Sequence, residues 1–376
     1  MIYLDNNATT RMAPAVREAM TPFLDEYFAN PSSPYTFARR SALALGQARE
    51  HVATTLGCEP NQVVFTSGGS EAIHLALHSA CAARTDTRHL ITSTVEHAAT
   101  LAAVERYEAA GYRVTRLQVD AQGHLDWDEY IDALCPETTC VSLMAANNET
   151  GVLFPIERYA AAAGELGVPF HCDATQAIGK IPFSAALPGL TYTAISAHKF
   201  HGPKGVGALI TDPKASVTAL ITGGDQEFGR RAGTENVAGI VGMGVAARLV
   251  PAGLEAMANA IRPLRDQVEA ALDRCVEDVR IIGRNSDRLP NTILFTVAGQ
   301  PSEVLIARFD MDEICVSAGS ACASGATEAS HVLRAMQVPQ EHAFGAVRIS
   351  LSRYTTRDEI STFMECLGAQ IGINPA

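Results

Sequence analysis

Short apolar runs alternate with amphipathic stretches through the first two thirds of the chain. QVVFT (62–66), HLITS (89–93), CVSLMA (140–145), PFHCDA (169–174), TAIS (193–196) and GALIT (207–211) read as strands. Several are apolar at successive positions, as expected of strands covered on both faces. Between them the spacing predicts helices over 69–84, 97–110 and 155–165. Strands alternating with helices imply an α/β fold built on a mostly parallel sheet. Near residue 251, at PAGLEAM, the texture changes. A long helix over 253–276 precedes strand-like VRIIG (279–283), NTILFTV (291–297) and VRISLS (347–352), which predicts a smaller α+β domain.

The 376 residues are 47% hydrophobic and 19% charged, a composition that suits a soluble globular protein of one large domain or two. A net charge of -12 without any Lys/Arg-rich run argues against a nucleic-acid partner. No apolar run reads as long enough to span a bilayer, so no membrane partner is expected. MIYLDNNATT lacks a basic region followed by an apolar stretch, and a cytoplasmic location is expected. The nine cysteines are odd in number, scattered and free of C-x-x-C pairs, unlike a disulfide scaffold or a structural zinc site. Taken singly, each is expected to be a small buried hydrophobe. Cys322 stands apart, because SAGSACASGA (317–326) offers no bulky side chain to pack it down.

Ligands of such sheets bind beyond the carboxyl ends of the strands. TSGGSEAIH (66–74) opens a helix on glycines, a helix end suited to an anion. STVEHAAT (93–100) sets His97 at a strand-to-helix junction, and AANNETG (145–151) is a polar turn. HCDATQAIGK (171–180) releases Asp173 and Gln176 from a strand end, and SAHKFHGPKGVG (196–207) puts Lys199 after Ser196 and His198. Each piece alone is ordinary. Together they meet the needs of pyridoxal 5′-phosphate: a lysine to attach it, a carboxylate for the ring nitrogen, a planar group to stack on the ring, and a phosphate cradle. Lys204 competes with Lys199 for the attachment, but G-P-K-G is a turn signal and predicts a solvated side chain.

The chain resembles the cysteine desulfurases of the NifS/IscS family, within the class V aminotransferase group of fold-type I pyridoxal-phosphate enzymes. The resemblance runs nearly end to end, through YLDNNATT (3–10), NPSS (30–33), TSGGSE (66–71), VEH (95–97), ANNETG (146–151), HCDATQAIGK, SAHKFHGPKGVG, GRRAGTENVAGIVG (229–242), GSACASG (319–325) and VRISLSRYTT (347–356). GRRAGTENV and SLSRYTT place it nearer the NifS branch. It implies a large cofactor-binding domain over 15–250 with a seven-stranded type of sheet, and a small domain made of 1–14 and 251–376.

It also implies roles. Lys199 would carry the cofactor and act as base, His97 would stack on the ring and pass protons, and Asp173 would hold the ring nitrogen. Gln176 and Asn148 would lie at the ring hydroxyl, Asn148 also near the substrate. Gly69, Ser70, Ser196 and His198 would hold the phosphate, and Thr234 would reach the partner subunit's cofactor in a homodimer. Arg348 would clamp the carboxylate of L-cysteine. Cys322 would take the substrate sulfur as a persulfide, on a mobile arm, and pass it to a sulfur acceptor or iron–sulfur scaffold protein, with nitrogenase maturation as the branch expectation. No metal site is implied beyond a transient iron–sulfur ligand at Cys322. Ser70 stands where the family usually has Thr and keeps the hydroxyl. Selenocysteine lyase or another class V activity, and a non-catalytic sulfur carrier, are the other readings. Turnover of cysteine against selenocysteine, and alanine release, separate them.

Overall fold

The computed structural model describes residues 1–275, 278–319 and 329–371. Seven strands form the main sheet: β1 (Val63–Thr66), β2 (His89–Ser93), β3 (Arg113–Leu117), β4 (Cys140–Met144), β5 (Phe170–Asp173), β6 (Leu190–Ser196) and β7 (Gly207–Thr211). Their order across the sheet is β1-β7-β6-β5-β4-β2-β3. Only β7 runs against the others, pairing antiparallel with β1 and with β6. The expected mostly parallel α/β sheet is present. β3 escaped the sequence pattern because RVTRL is polar at three of its five positions. As an edge strand it needs less cover than the central ones.

Both faces of the sheet are buried, and alternate residues divide between two cores. Val63, Phe65, Ile91, Val141, Phe170 and Ile195 face one. Val64, Leu90, Cys140, Tyr192 and Leu209 face the other, against the helices α1 (Gly69–Ala83) and α2 (Ala98–Ala109). This two-sided burial explains the continuous apolar runs. A third core gathers Leu4, Ile293, Phe295, Val347, Ile349 and Phe363 around a four-stranded antiparallel sheet. Its strands are β8 (Val279–Ile281), β9 (Thr292–Val297), β10 (Ser317–Ala318) and β11 (Ala346–Ser350).

The long helix differs from its expectation. It runs unbroken as α3, Val237–Cys275, with Pro251 and Pro263 inside it. Proline costs a helix one hydrogen bond, but packing along both halves outweighs that. Met243 and Val250 lie in the first core, and Ile261, Val268 and Leu272 in the third. This helix also corrects the expectation that no apolar run is long enough to cross a bilayer, since over Val237–Arg274 it is, by length and composition. Its apolar face is buried in the protein's own cores.

Candidate active site

β1, β2, β4, β5 and β6 share one direction, so the residues that follow them collect at one sheet edge. After β1, α1 begins at Gly69 with no side-chain cap, leaving its first-turn N–H groups facing outward. There a cavity of about 440 Å³ is lined by Ala8, Thr9, Gly69, Ser70, Ser196 and His198, among others. Small residues are required at this wall. A Cβ at Gly207 would lie 2.6 Å from the Gly68 carbonyl carbon and from the Ile195 oxygen. His198 contacts Thr9 Oγ1 through Nδ1 at 3.2 Å. Burial first, then Lys199, Lys204 and Lys180, lowers its pKa to about 4, which keeps it neutral. Lys204 is exposed, as the turn signal predicted, and also borders the cavity.

Lys199 ends a short 3-10 turn directly after β6. Its ammonium donates to the backbone oxygens of Asn7 (2.5 Å) and Ala8 (2.9 Å). The same Asn7 oxygen accepts from Gln176 Nε2 at 3.0 Å. Asn7 Oδ1 accepts from Lys180 at 3.1 Å, and Asn7 Nδ2 donates to Thr292 Oγ1 at 2.9 Å and to the Asn148 oxygen at 3.2 Å. Lys180, buried, also donates to Gln176 Oε1. Burial lowers its pKa well below the ordinary lysine value, and Lys199 and Arg348 push the same way. Sequence reasoning gave Asn7 and Lys180 no role, although both stand inside the quoted motifs. Lys180 follows Gln176 by four residues in a turn, and no local periodicity marked either residue as a partner of Lys199.

His97 caps α2, its Nδ1 accepting from Ala99 N–H at 3.1 Å. In a neutral ring this leaves the proton on Nε2. Burial lowers the His97 pKa against the pull of Asp173, with Lys199 and His331 adding to the decrease. Asp173 ends β5, 6% exposed, and its Oδ1 accepts the Thr175 N–H at 2.9 Å. Behind it lies Glu96, another residue without an assigned role. Its Oε1 accepts from Ser93 Oγ (2.7 Å) and Met144 N–H (3.1 Å), while Oε2 is buried without a partner among the described residues. Burial raises its pKa to about 8 against those two hydrogen bonds, and Asp173 adds to the rise.

Arg348, on β11, is 1% exposed. Its Nη2 donates to Asp5 Oδ1 at 2.7 Å and its Nη1 to the Asn148 oxygen at 3.0 Å. Its Nε is buried with no partner among the described residues. Beside it Glu149 Oε2 accepts from Ser330 Oγ at 2.6 Å and would meet a Cβ at Gly319 at 2.8 Å. Burial raises the Glu149 pKa, opposed by Ser330, His331 and Arg348. His331 Nε2 reaches the Glu96 backbone oxygen at 3.0 Å. Cys322 and most of SAGSACASGA lie outside the described residues, but the residues bracketing them converge on this edge. Thr234 is exposed and is not among the residues lining the cavity, so a single chain does not bring it to the others.

Residues 2–363 match the family described as Aminotransferase class-V. A cysteine desulfurase of Cereibacter sphaeroides is 48% identical over 368 residues, spanning 97% of this chain and 94% of that protein. Another, from Klebsiella pneumoniae, is 46% identical over 360 residues, spanning 96% and 90%. Among solved structures, a NifS-like protein superposes with a TM-score of 0.92 at 35% identity over 98% of each chain. SspA in complex with cysteine does so with a TM-score of 0.84 at 32% identity, over 95% of this chain and 100% of that one. Matched in sequence and in fold along nearly its whole length, the chain belongs to the cysteine desulfurase family of class-V aminotransferases.

Proposed function

We propose that the chain is a pyridoxal-phosphate-dependent cysteine desulfurase that converts L-cysteine to L-alanine and leaves a persulfide on Cys322. The observation that carries this is the single sheet edge holding Lys199, Asp173, His97 and the uncapped start of α1. The residues fit the cofactor. Thr175 Oγ1 is buried without a partner among the described residues, 3.1 Å from where a Cβ at Gly69 would stand, so the cradle is narrow and polar. When bound, pyridoxal phosphate supplies an electron sink that weakens the bonds around the substrate's α-carbon.

The protein's own groups supply the rest. The Gly69 and Ser70 N–H groups, with Ser196 and His198, would hold the phosphate. Asp173 would hold a proton at the ring nitrogen, with Gln176 and Asn148 at the ring hydroxyl. Lys199 would anchor the cofactor and move the proton at the substrate's α-carbon. His97, neutral with its proton on Nε2, would cover the ring and take part in proton transfer. Arg348 would exchange its Asp5 contact for the substrate carboxylate, and its Nε, without a partner among the described residues, is the spare donor for that task. The Cys322 thiolate would attack the substrate sulfur: the S–S bond forms as the C–S bond breaks, the C–S electron pair goes to the substrate's β-carbon, and that carbon takes up a proton to become the methyl group of alanine. A protein acceptor, in iron–sulfur cluster assembly and on the nitrogenase-related branch, would then take the outer sulfur. Thr234, exposed in one chain, would complete the phosphate site of a second copy.

Incubation of the purified protein with L-cysteine, with alanine and protein persulfide measured together, tests this. Stoichiometric persulfide at Cys322 with alanine release is expected, and both should be lost in Cys322→Ser while cofactor binding stays. A wild-type protein that releases no alanine would overturn the proposal.

A further inference from the structure

The wall of the phosphate cavity contains a carboxylate. Glu71 stands in the first turn of α1 and lines the cavity beside Ser67 and Ser70. Its side chain is only 11% exposed. A negative charge there opposes any bound phosphate, with little water to screen it. The carboxylate has a local task, since Oε2 accepts the Ser67 N–H at 2.8 Å and so fixes the turn that presents the cradle. Burial raises the Glu71 pKa, but the bonds from Arg231 and Ser67 outweigh it and hold the pKa below its ordinary value.

Arg231 answers that charge. Its Nε donates to Glu71 Oε1 at 2.9 Å and its Nη2 to Glu71 Oε2 at 3.2 Å, a fork-on-fork pair that points at both oxygens. The loop that carries Arg231 is itself pinned. Glu227, at φ 49°, takes both Nη groups of Arg49 at 2.8 and 2.7 Å and also accepts the Phe65 N–H at 2.8 Å. Thr234 follows Arg231 by three residues on the same loop.

We infer that Arg231 is a positioning residue for phosphate binding: it neutralises Glu71, so that the carboxylate can brace the cradle without repelling the anion. The inference rests on the proposed cofactor reading and names a residue outside the phosphate contacts given above.

The test uses the full-length protein stripped of cofactor, titrated with pyridoxal 5′-phosphate, with pyridoxal and with inorganic phosphate. Arg231→Met should weaken pyridoxal 5′-phosphate and inorganic phosphate by about tenfold, leaving phosphate-free pyridoxal unchanged. Adding Glu71→Gln should restore most of the loss, because the neutral amide needs no counter-charge. A merely structural residue would weaken all three ligands together and would not be rescued by removing its partner. Arg231→Lys, which keeps the charge without the fork, should fall between the two and carries the test if the methionine variant fails to fold. Unchanged phosphate affinity in either Arg231 variant, equal loss of pyridoxal, or no rescue by Glu71→Gln would overturn the inference. A wild-type protein that binds inorganic phosphate in an Arg231-dependent way but not pyridoxal 5′-phosphate would remove the cofactor reading and leave the role of Arg231 standing.

Discussion

Lys199 and Lys204 show how burial sorts two lysines five residues apart. Lys199 is held at the sheet edge by two backbone oxygens, whereas Lys204 projects from an exposed turn. Borohydride reduction of the cofactor-loaded protein should place the label on Lys199. Lys199→Ala should lose the covalent link and Lys204→Ala should keep it, and a labelled Lys204 peptide would reverse the assignment. Glu96 offers a second measurement. Its folded pKa, about 8, lies above the ordinary 4.5. Between those values the unfolded chain ionises while the folded one must stay protonated. Stability from this group is therefore full below 4.5 and drains away as pH rises to about 8. The acceptor bonds from Ser93 and Met144 survive in Glu96→Gln, but the titration does not. Relative to that variant, the wild type should lose on the order of 5 kcal/mol across the window, read by urea unfolding at both ends. Parallel curves would refute the raised pKa.

At the scale of elements, the cradle depends on how closely β7 approaches the start of α1. Gly207 pairs with Thr66 on one side and Ser196 on the other, leaving no room for a methyl group against Gly68. Gly207→Ala should force the β1–α1 turn away from β6. The expected cost is roughly 1–3 kcal/mol of stability, with a matching loss of affinity for phosphate-bearing ligands. A variant of full stability and full phosphate affinity would mean that the turn yields without consequence. The uncapped helix start is part of the same arrangement: a side chain bonding those N–H groups would compete with the anion.

For the whole molecule, the position of Thr234 is the clearest pointer to a shared site. It is exposed and away from the cavity of its own chain. The proposed homodimer predicts complementation. Lys199→Ala and a Thr234→Ala chain, each inactive alone, should regain up to about a quarter of wild-type turnover when mixed at equal ratio and allowed to exchange, since random exchange makes half the dimers mixed and one of their two sites intact. No recovery after exchange verified by mass spectrometry would argue for sites complete within each chain.

The apolar runs of β1, β2 and β4 to β7 were legible because strands buried on both faces need apolar side chains at consecutive positions. The strand-end motifs were legible because their glycines, turn residues and charged groups interrupt that pattern where ligands bind. β3 was not, since an edge strand tolerates polar residues, and neither was the continuity of α3 through two prolines, which packing along both halves decides. Lys180, Asn7 and Glu96 stood in readable motifs, yet nothing local says that Asn7 joins Lys199, Gln176, Lys180 and Thr292 through one backbone oxygen and one amide. The pairing of Glu71 with Arg231 spans 160 residues. Sequence determined which residues could do chemistry, because composition and spacing fix local conformation. Tertiary structure alone decided which of them face one another, because a buried charge or amide takes its partner from whatever the folded chain brings within hydrogen-bonding distance.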